Sequence, residues 1–292
     1  MRSNMKIYFL ALINLSILKL LTAQVVNLNR QLLEEWLGGN ANVQKIELKN
    51  KNIATIDPNT FTGLTNLYFL YLDDNKLTTL DPKTFSGLNL RILHLTSNRF
   101  SFLPPTLFQG LTSLRVLDIS DNYINRIDPA TFNGLISLEE LYIDFNDIVT
   151  IQPGTFSGLV NVYTVWLTAN RLNQLSQNPF KGLDYVEYLR LDFNDIVSID
   201  KNVFSDTGYL VELYLHSNDI ASIDPKAFEG LYYLEELHLN GNRLTALDRN
   251  IFVGLSQLRK VYLGANPISI VQASYVLSLC QTNPTCTIDI GN

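Results

Sequence analysis

The chain has 292 residues, 46% of them hydrophobic, and a formal net charge of −6 at pH 7. The apolar share calls for a sizeable core, and the acidic balance argues against general nucleic-acid binding. Two cysteines offer too few ligands for a structural zinc site.

Residues 1–23 read as a secretory signal. Arg2 and Lys6 form a basic start, Ile7 to Leu18 an apolar run, and Leu21-Thr22-Ala23 a cleavage site before Gln24. A membrane anchor is the competing reading, but Asn14 and Lys19 interrupt a run already shorter than the ~20 residues a span needs. Cleavage implies a secreted, extracellular product with no membrane span, and it removes three bases and no acid. Residues 24–42 are expected to form a front cap. Asn27 to Leu37 reads as a short helix with Leu32, Leu33, Trp36 and Leu37 on one side, ended by Gly38-Gly39, so that Trp36 covers the first coil beyond it.

From there the chain is periodic. Phe61, Phe85, Phe108, Phe132, Phe156, Phe180, Phe204, Phe228 and Phe252 recur every 24 residues, with one gap of 23 between Phe85 and Phe108. A fixed period in that range means stacked copies of one supersecondary unit. About ten units fill residues 43–266, each opening on an apolar residue such as Leu138 or Val162. Within a unit the x-L-x-L-x stretch alternates, which suits a short strand with leucines inward and intervening residues outward. One unit cannot bury that face alone, so neighbours must stack into a parallel sheet. Each turn after a strand leaves backbone donors and acceptors inside the stack. A column of side-chain amides can satisfy them: Asn75, Asn98, Asn122, Asn146, Asn170, Asn194, Asn218, Asn242 and Asn266. The first unit has Lys51 at that place. In the seventh, Phe204-Ser205-Asp206-Thr207 lacks the usual leucine, which predicts a soft outer face there.

The run Leu138, Leu141, Ile143, Asn146, Ile148, Ile151, Phe156, repeated in register, resembles the extracellular leucine-rich repeat family with its 24-residue units. The resemblance covers Val43 to about Asn266. It implies an α/β-type solenoid: a horseshoe with a parallel concave β-sheet, short turns or 3-10 segments on the convex side, and helical end caps. It also implies a macromolecular partner, most often on the concave face, in adhesion, innate recognition or extracellular signalling. Other roles of the family are a non-catalytic subunit or inhibitor of a secreted enzyme, and a structural matrix protein. Many members carry cysteine clusters at both ends of the array; this chain has none at the front, so the resemblance stays with the broad family.

Residues 267–292 read as the back cap. Pro267 breaks the repeat and Val271 to Leu279 looks helical. Cys280 and Cys286 favour a short-loop disulfide in a secreted chain, with two free thiols or a pair shared with another chain as alternatives.

Outward strand positions are where a ligand would be chosen. One row runs through Tyr142, Trp166, Arg190 and Tyr214, and the next through Asp144, Thr168, Asp192 and His216. With Phe145, Tyr188 and Phe193 they give an aromatic cluster with the composition of an interface centre. Aromatic residues also suit strands for their own sake, and Asp-Phe-Asn-Asp-Ile-Val stands at both 144–149 and 192–197, so duplication alone could explain the two phenylalanines. Asp118, Asp121, Glu140, Asp144, Asp147, Asp192, Asp195, Glu212 and Asp219 make the same region acidic against Arg171 and Arg190. The expectation is an acidic, aromatic trough for a protein with a cationic surface, with a glycan as the second choice. Asp192, His216 and Ser217 can be arranged on paper as a hydrolytic set, but an open sheet lacks the water exclusion that activates a serine. No enzyme activity, metal or cofactor is expected. Outside residues 1–23 there is no N-x-S/T sequon, since Asn283 precedes Pro284.

Overall fold

A computed structural model describes residues 25–175, 177–269 and 286–291. The signal and the cap helix expected at Val271–Leu279, with Cys280, lie outside these residues. Among the described residues no helix is long and apolar enough to cross a membrane.

The chain enters through β1 (Val26–Leu28), which pairs in parallel with β3 (Ile53–Ile56). Helix α1 comes next, at Arg30–Trp36. It starts later than the sequence suggests because Asn27 and Leu28 are taken by the β3 pairing. Asn29 instead caps the helix, its side chain accepting from the Leu32 N–H at 2.9 Å. Gly38 and Gly39, at φ +60 and +76, end it with N–H bonds back to Glu35 and Glu34. Leu28 and Leu33 seal the first coil, while Trp36 stays 40% exposed at its rim.

The main sheet takes one strand from each unit. In chain order these are β2 (Lys45–Glu47), β4 (Phe69–Tyr71), β5 (Ile92–His94), β6 (Val116–Asp118), β7 (Glu140–Tyr142), β8 (Thr164–Trp166) and β9 (Tyr188–Arg190). A two-residue strand, β10 (Ser198–Ile199), lies on the side and pairs with β12 (Ser222–Ile223). Strand β11 (Glu212–Tyr214), β13 (Glu236–His238) and β14 (Lys260–Tyr262) complete the ten. All are parallel and paired without register shift, each residue facing its counterpart one unit away. The tail adds an eleventh strand, β15 (Thr287–Asp289), on the edge of β14. The repeat pattern does not announce it, yet it satisfies the last coil: the Leu263 N–H donates to the Asp289 carbonyl at 2.6 Å. Cys286, beside it, packs against the core and is not a free thiol.

Central strand residues such as Leu117, Leu141, Val165, Leu189 and Leu213 are wholly buried. The back of each coil is a run of turns closed by i→i+3 bonds, as from the Thr60 N–H to Asp57 and the Leu64 N–H to Phe61. Behind them Phe132, Phe156, Phe180, Phe204 and Phe228 stack ring on ring at 5.7–6.4 Å. Thr207, where a soft face is predicted, is instead fully buried, and its hydroxyl donates to the Phe204 carbonyl at 2.9 Å. A satisfied hydroxyl fills the leucine's place.

Each amide of the asparagine column ties its own turn to the preceding coil. Asn146 donates through Nδ2 to the carbonyls of Ile119, one coil back, and Ile143, both at 3.1 Å. Its Oδ1 accepts from the Ile124 N–H at 3.0 Å. The same set recurs at Asn170, Asn194 and Asn218. Lys51 stands where no earlier coil needs such a link.

Coils also touch through glycine. A methyl group at Gly182 would lie 2.5 Å from the Ser157 Cα, whereas one at Gly230 would meet nothing within 4 Å, although φ is +97 and +95. Gly230→Ala is expected to cost only its left-handed backbone, about 1–2 kcal/mol. Gly182→Ala should cost about 1–3 kcal/mol more from forcing two coils apart. Urea unfolding of the pair is the check; equal losses would mean that coil contact is not what Gly182 serves.

Candidate functional site

The first and third residues of most sheet strands are half-buried and face outward, so equal strand lengths and an unshifted register produce straight ladders of side chains. From β7 to β14 the row that ends each strand is a continuous run of rings bridged by one guanidinium. The Tyr142 and Trp166 rings meet edge to face at 4.9 Å. The Arg190 guanidinium lies 5.1 Å from the Trp166 ring and 4.8 Å from that of Tyr214. Tyr214 stacks on His238 at 4.2 Å and His238 on Tyr262 at 4.3 Å. Hydroxyls in this row are tied down: Tyr142 donates to Glu140 and Tyr214 to Glu212, both at 2.5 Å. Burial and these carboxylates push both phenols well above their usual range. Glu140 also accepts from Tyr163 at 2.8 Å.

The adjacent row carries three aspartates in different settings. Asp73 sits 3.1 Å from Lys49 and 3.5 Å from His94. Asp192, wholly buried, takes two bonds from Arg190, at 3.1 and 3.3 Å, one from the Thr168 hydroxyl at 3.1 Å, and lies 3.6 Å from His216. Asp144 is 6% exposed and accepts from the Thr168 N–H at 2.7 Å, with no cation in contact among the described residues. Burial pushes its carboxyl up to about 7, against the Thr168 bonds and the more distant Arg190. His216 is pushed down by burial, more than Asp192 pulls it up.

The turn just before each amide column residue is left-handed in every unit. Positive φ is found at Asn50, Asp74, Ser97, Asp121, Phe145, Ala169, Phe193, Ser217, Gly241 and Ala265. Asparagine, aspartate and glycine accept that backbone readily; a bulky phenylalanine does not. Phe145 and Phe193, at φ +52 and +55, are 60% and 56% exposed. Two strained positions thus carry large apolar groups in water, with small Ala169 between them. Together they wall a cleft of about 460 Å³, lined further by Asp144, Trp166, Thr168, Arg190 and Asp192.

Six of the ten residues singled out from the sequence meet in this cleft. Tyr142 and Tyr214 flank it on the ladder. His216 borders a second depression with His238, Asn240 and Tyr262, and its ring contacts Phe193 at 5.3 Å. Tyr188 opens its strand and lies in a third row, opposite Thr164 and Glu212, away from the cleft. Sequence reasoning placed Thr168 in the outward row without choosing it as a site residue, and it passed over Ala169, whose signal is smallness opposite bulk. It also passed over Tyr185, Tyr209 and Tyr233, an exposed stack at 5.4 and 5.3 Å that the 24-residue spacing could have found.

The acidity of the trough is smaller than a count of acids suggests. Asp144 and Asp192 are buried, Asp147 pairs with Arg171 at 2.9 Å, and Asp219 with Arg243 at 2.6 Å. Residues 24 apart are spatial neighbours, so the column supplies counter-ions that a linear reading of one region omits. Asp192, His216 and Ser217 do come together, with His216 Nδ1 3.2 Å from Ser217 Oγ. Yet the Ser217 N–H is spent on the Asn240 carbonyl, and both Asp192 oxygens are spent on Arg190.

A family profile described as leucine rich repeat matches residues 41–95, 89–148, 122–162, 136–196, 160–220 and 208–268. No curated protein matches the chain. Among solved structures it is similar to TLR13 in complex with ssRNA13, at 25% identity and TM-score 0.74 over 81% of this chain and 34% of that one. It is similar to a chain of the Drosophila Toll–Spatzle complex at 22% and 0.74, over 84% and 37%. It is also similar to a chain of the octameric assembly of latrophilin 3, Unc5D and the FLRT2 LRR at 21% and 0.65, over 86% and 84%. The Toll and FLRT2 likenesses speak to the fold alone, and the chain spans just over a third of the TLR13 and Toll chains it matches.

Strain and burial at the site can each be tested. Phe145→Asn and Phe193→Asn should each stabilise the fold by about 1 kcal/mol, because asparagine tolerates the left-handed backbone and little apolar burial is lost. A fall in thermal midpoint would show the rings to be structural. Asp144 has a raised folded-state pKa, so the native chain holds its proton longer than the unfolded chain does, and stability should fall as pH rises from about 4 through about 7. Asp144→Asn should flatten that limb of a pH–stability curve.

Proposed function

The chain belongs to the leucine-rich repeat family, and on that premise we propose that it is a secreted binding protein whose concave sheet holds a protein partner. The observation that carries the reading is the exposure of Phe145 and Phe193 at left-handed positions, a backbone that disfavours a large side chain. Beside them the Tyr142–Trp166–Arg190–Tyr214 ladder offers rigid aromatic and guanidinium anchors, the residue types that dominate interface energetics. A preformed, register-locked sheet incurs little ordering cost on binding.

Protein is favoured over nucleic acid because the cleft lining holds two carboxyls to one guanidinium in a chain of net charge −6. The apparent hydrolytic set fits a binder better than an enzyme, since its aspartate and the serine N–H are already committed. Residues 1–23 would direct secretion, and a Cys280–Cys286 disulfide would pin β15 to the last coil. Adhesion, innate recognition and extracellular signalling all suit such a surface.

Affinity capture from extracellular material, wild type against Trp166→Ala combined with Tyr142→Ala, tests the reading. A partner that the folded double variant loses, by about tenfold or more in Kd, supports it. A partner held equally by both moves the interface off the concave sheet.

A further inference from the structure

The cleft between Phe145 and Phe193 has a charge left over. Its lining contains Asp144, Asp192 and Arg190. Arg190 is already committed, with both Asp192 oxygens bonded to it and its guanidinium against the Trp166 and Tyr214 rings. That leaves Asp144, buried and bonded to Thr168, whose N–H lies at 2.7 Å, with no cation in contact among the described residues.

The molecule supplies its own comparison. The hexapeptide Asp-Phe-Asn-Asp-Ile-Val begins at Asp144 and again at Asp192. Two residues before Asp192 stands Arg190, which neutralises it; two residues before Asp144 stands Tyr142, whose hydroxyl is bonded to Glu140. Asp73, in the same row, also has a cation, Lys49 at 3.1 Å, with the His94 ring nitrogen at 3.5 Å. Of the three aspartates only Asp144 lacks a positive partner, and it is the one that opens beside a cleft walled by rings.

The walls fit one kind of group. Phe145 and Phe193 stand two repeats apart, roughly 9.6 Å at a strand spacing of ~4.8 Å. A methylene chain or guanidinium plate in contact with two surfaces needs about 7–8 Å between them, which a backbone separation of that order admits. Ring faces attract such cations as well as their alkyl stems. A hard metal ion is a poor fit, because it requires six or more oxygens and no group of three metal-binding side chains occurs among the described residues.

We infer that the cleft receives a single lysine or arginine side chain of a protein partner, its stem held between Phe145 and Phe193 and its charge paired with Asp144. This rests on the concave-face reading and narrows it from a surface to one buried ion pair. A protein side chain is the source because the ladder running past the cleft on both sides calls for a body large enough to cover it. The charged groups facing Asp144 are Asp118 from β6 and Arg190 and Asp192 from the β9 coil; the β8 coil faces it with Thr168, which carries no charge.

The probes are Nα-acetyl-lysine methylamide, its uncharged norleucine counterpart, and free butylamine, each added to the full chain while the Asp144 carboxyl is titrated by carbon NMR. Saturation with the lysine probe should lower the Asp144 midpoint by about one pH unit or more, with no change at Asp73, and the norleucine probe should leave it unmoved. Asp144→Asn should weaken the lysine probe about tenfold, and Phe145→Ala with Phe193→Ala about three- to tenfold. An Asp144 resonance indifferent to the lysine probe, or an equal response to norleucine, overturns the inference without recourse to any variant. Butylamine bound more tightly than the blocked lysine overturns the protein source. In the capture assay, loss of the partner from Trp166→Ala with Tyr142→Ala but full retention by Asp144→Asn overturns the buried pair and leaves the concave face standing. Retention by every variant defeats the concave-face reading itself.

Discussion

Everything in this molecule depends on how one coil hands its unsatisfied backbone groups to the next. A buried turn with open N–H and C=O groups would cost about 1–3 kcal/mol for each group left unpaired, and the stack repeats that turn in every unit. The asparagine amide solves the problem because it donates and accepts at once, reaching across the coil boundary in both roles. Its geometry then constrains its neighbour. The residue before the amide turns left-handed, at φ between 51° and 56° in the eight asparagine units where it is not glycine, and Asn50 before Lys51 does the same.

That constraint converts a structural rule into a functional signal. Where the left-handed residue is Asn, Asp, Ser or Gly, the unit is merely folding well. Phe145 and Phe193 instead accept backbone strain and expose large rings, although Phe193 also meets His216 of the next coil edge to face. Ala169 keeps the space between them open. The walls stand where the amide column puts them, so the cleft inherits the rigidity of the core. The ladder beside it is equally prepositioned: no side chain in the Tyr142–Trp166–Arg190–Tyr214 run lacks a ring or charged neighbour. Such a surface binds with little loss of rotamer freedom.

Periodicity made most of the fold legible in the sequence. The Phe61-to-Phe252 comb and the asparagine column specify stacking, strand position and core without any long-range knowledge, because each unit's partners are copies of itself. Features outside the repeat were harder to see. Strand β15 belongs to no unit, and Thr207 fills a leucine's place by satisfying its own hydroxyl. The row containing Tyr142, Trp166 and Tyr214 could be read directly, since period-two alternation decides which side chains face out. Burial within the next row could not. Asp144 and Asp192 alternate outward like the others, yet both are buried, Asp144 against Thr168 and Asp192 against Thr168 and Arg190, so counting acids overstated the open charge.

Electrostatics along the sheet is therefore a matter of pairs one repeat or one side chain apart, and the total is a poor guide. Arg171 answers Asp147 and Arg243 answers Asp219 across a single coil boundary, while Arg190 answers Asp192 within its own strand end. Local closure of this kind removes long-range attraction and leaves specificity to the few places where it fails. Identical hexapeptides meet different fates because of one earlier residue, arginine in one unit and tyrosine in the other. A duplication explains why the two phenylalanines exist. It does not explain why one of the two aspartates has a counter-ion and the other has none in contact among the described residues, while both rings stand exposed in one cleft, and that pairing is what the recognition reading rests on.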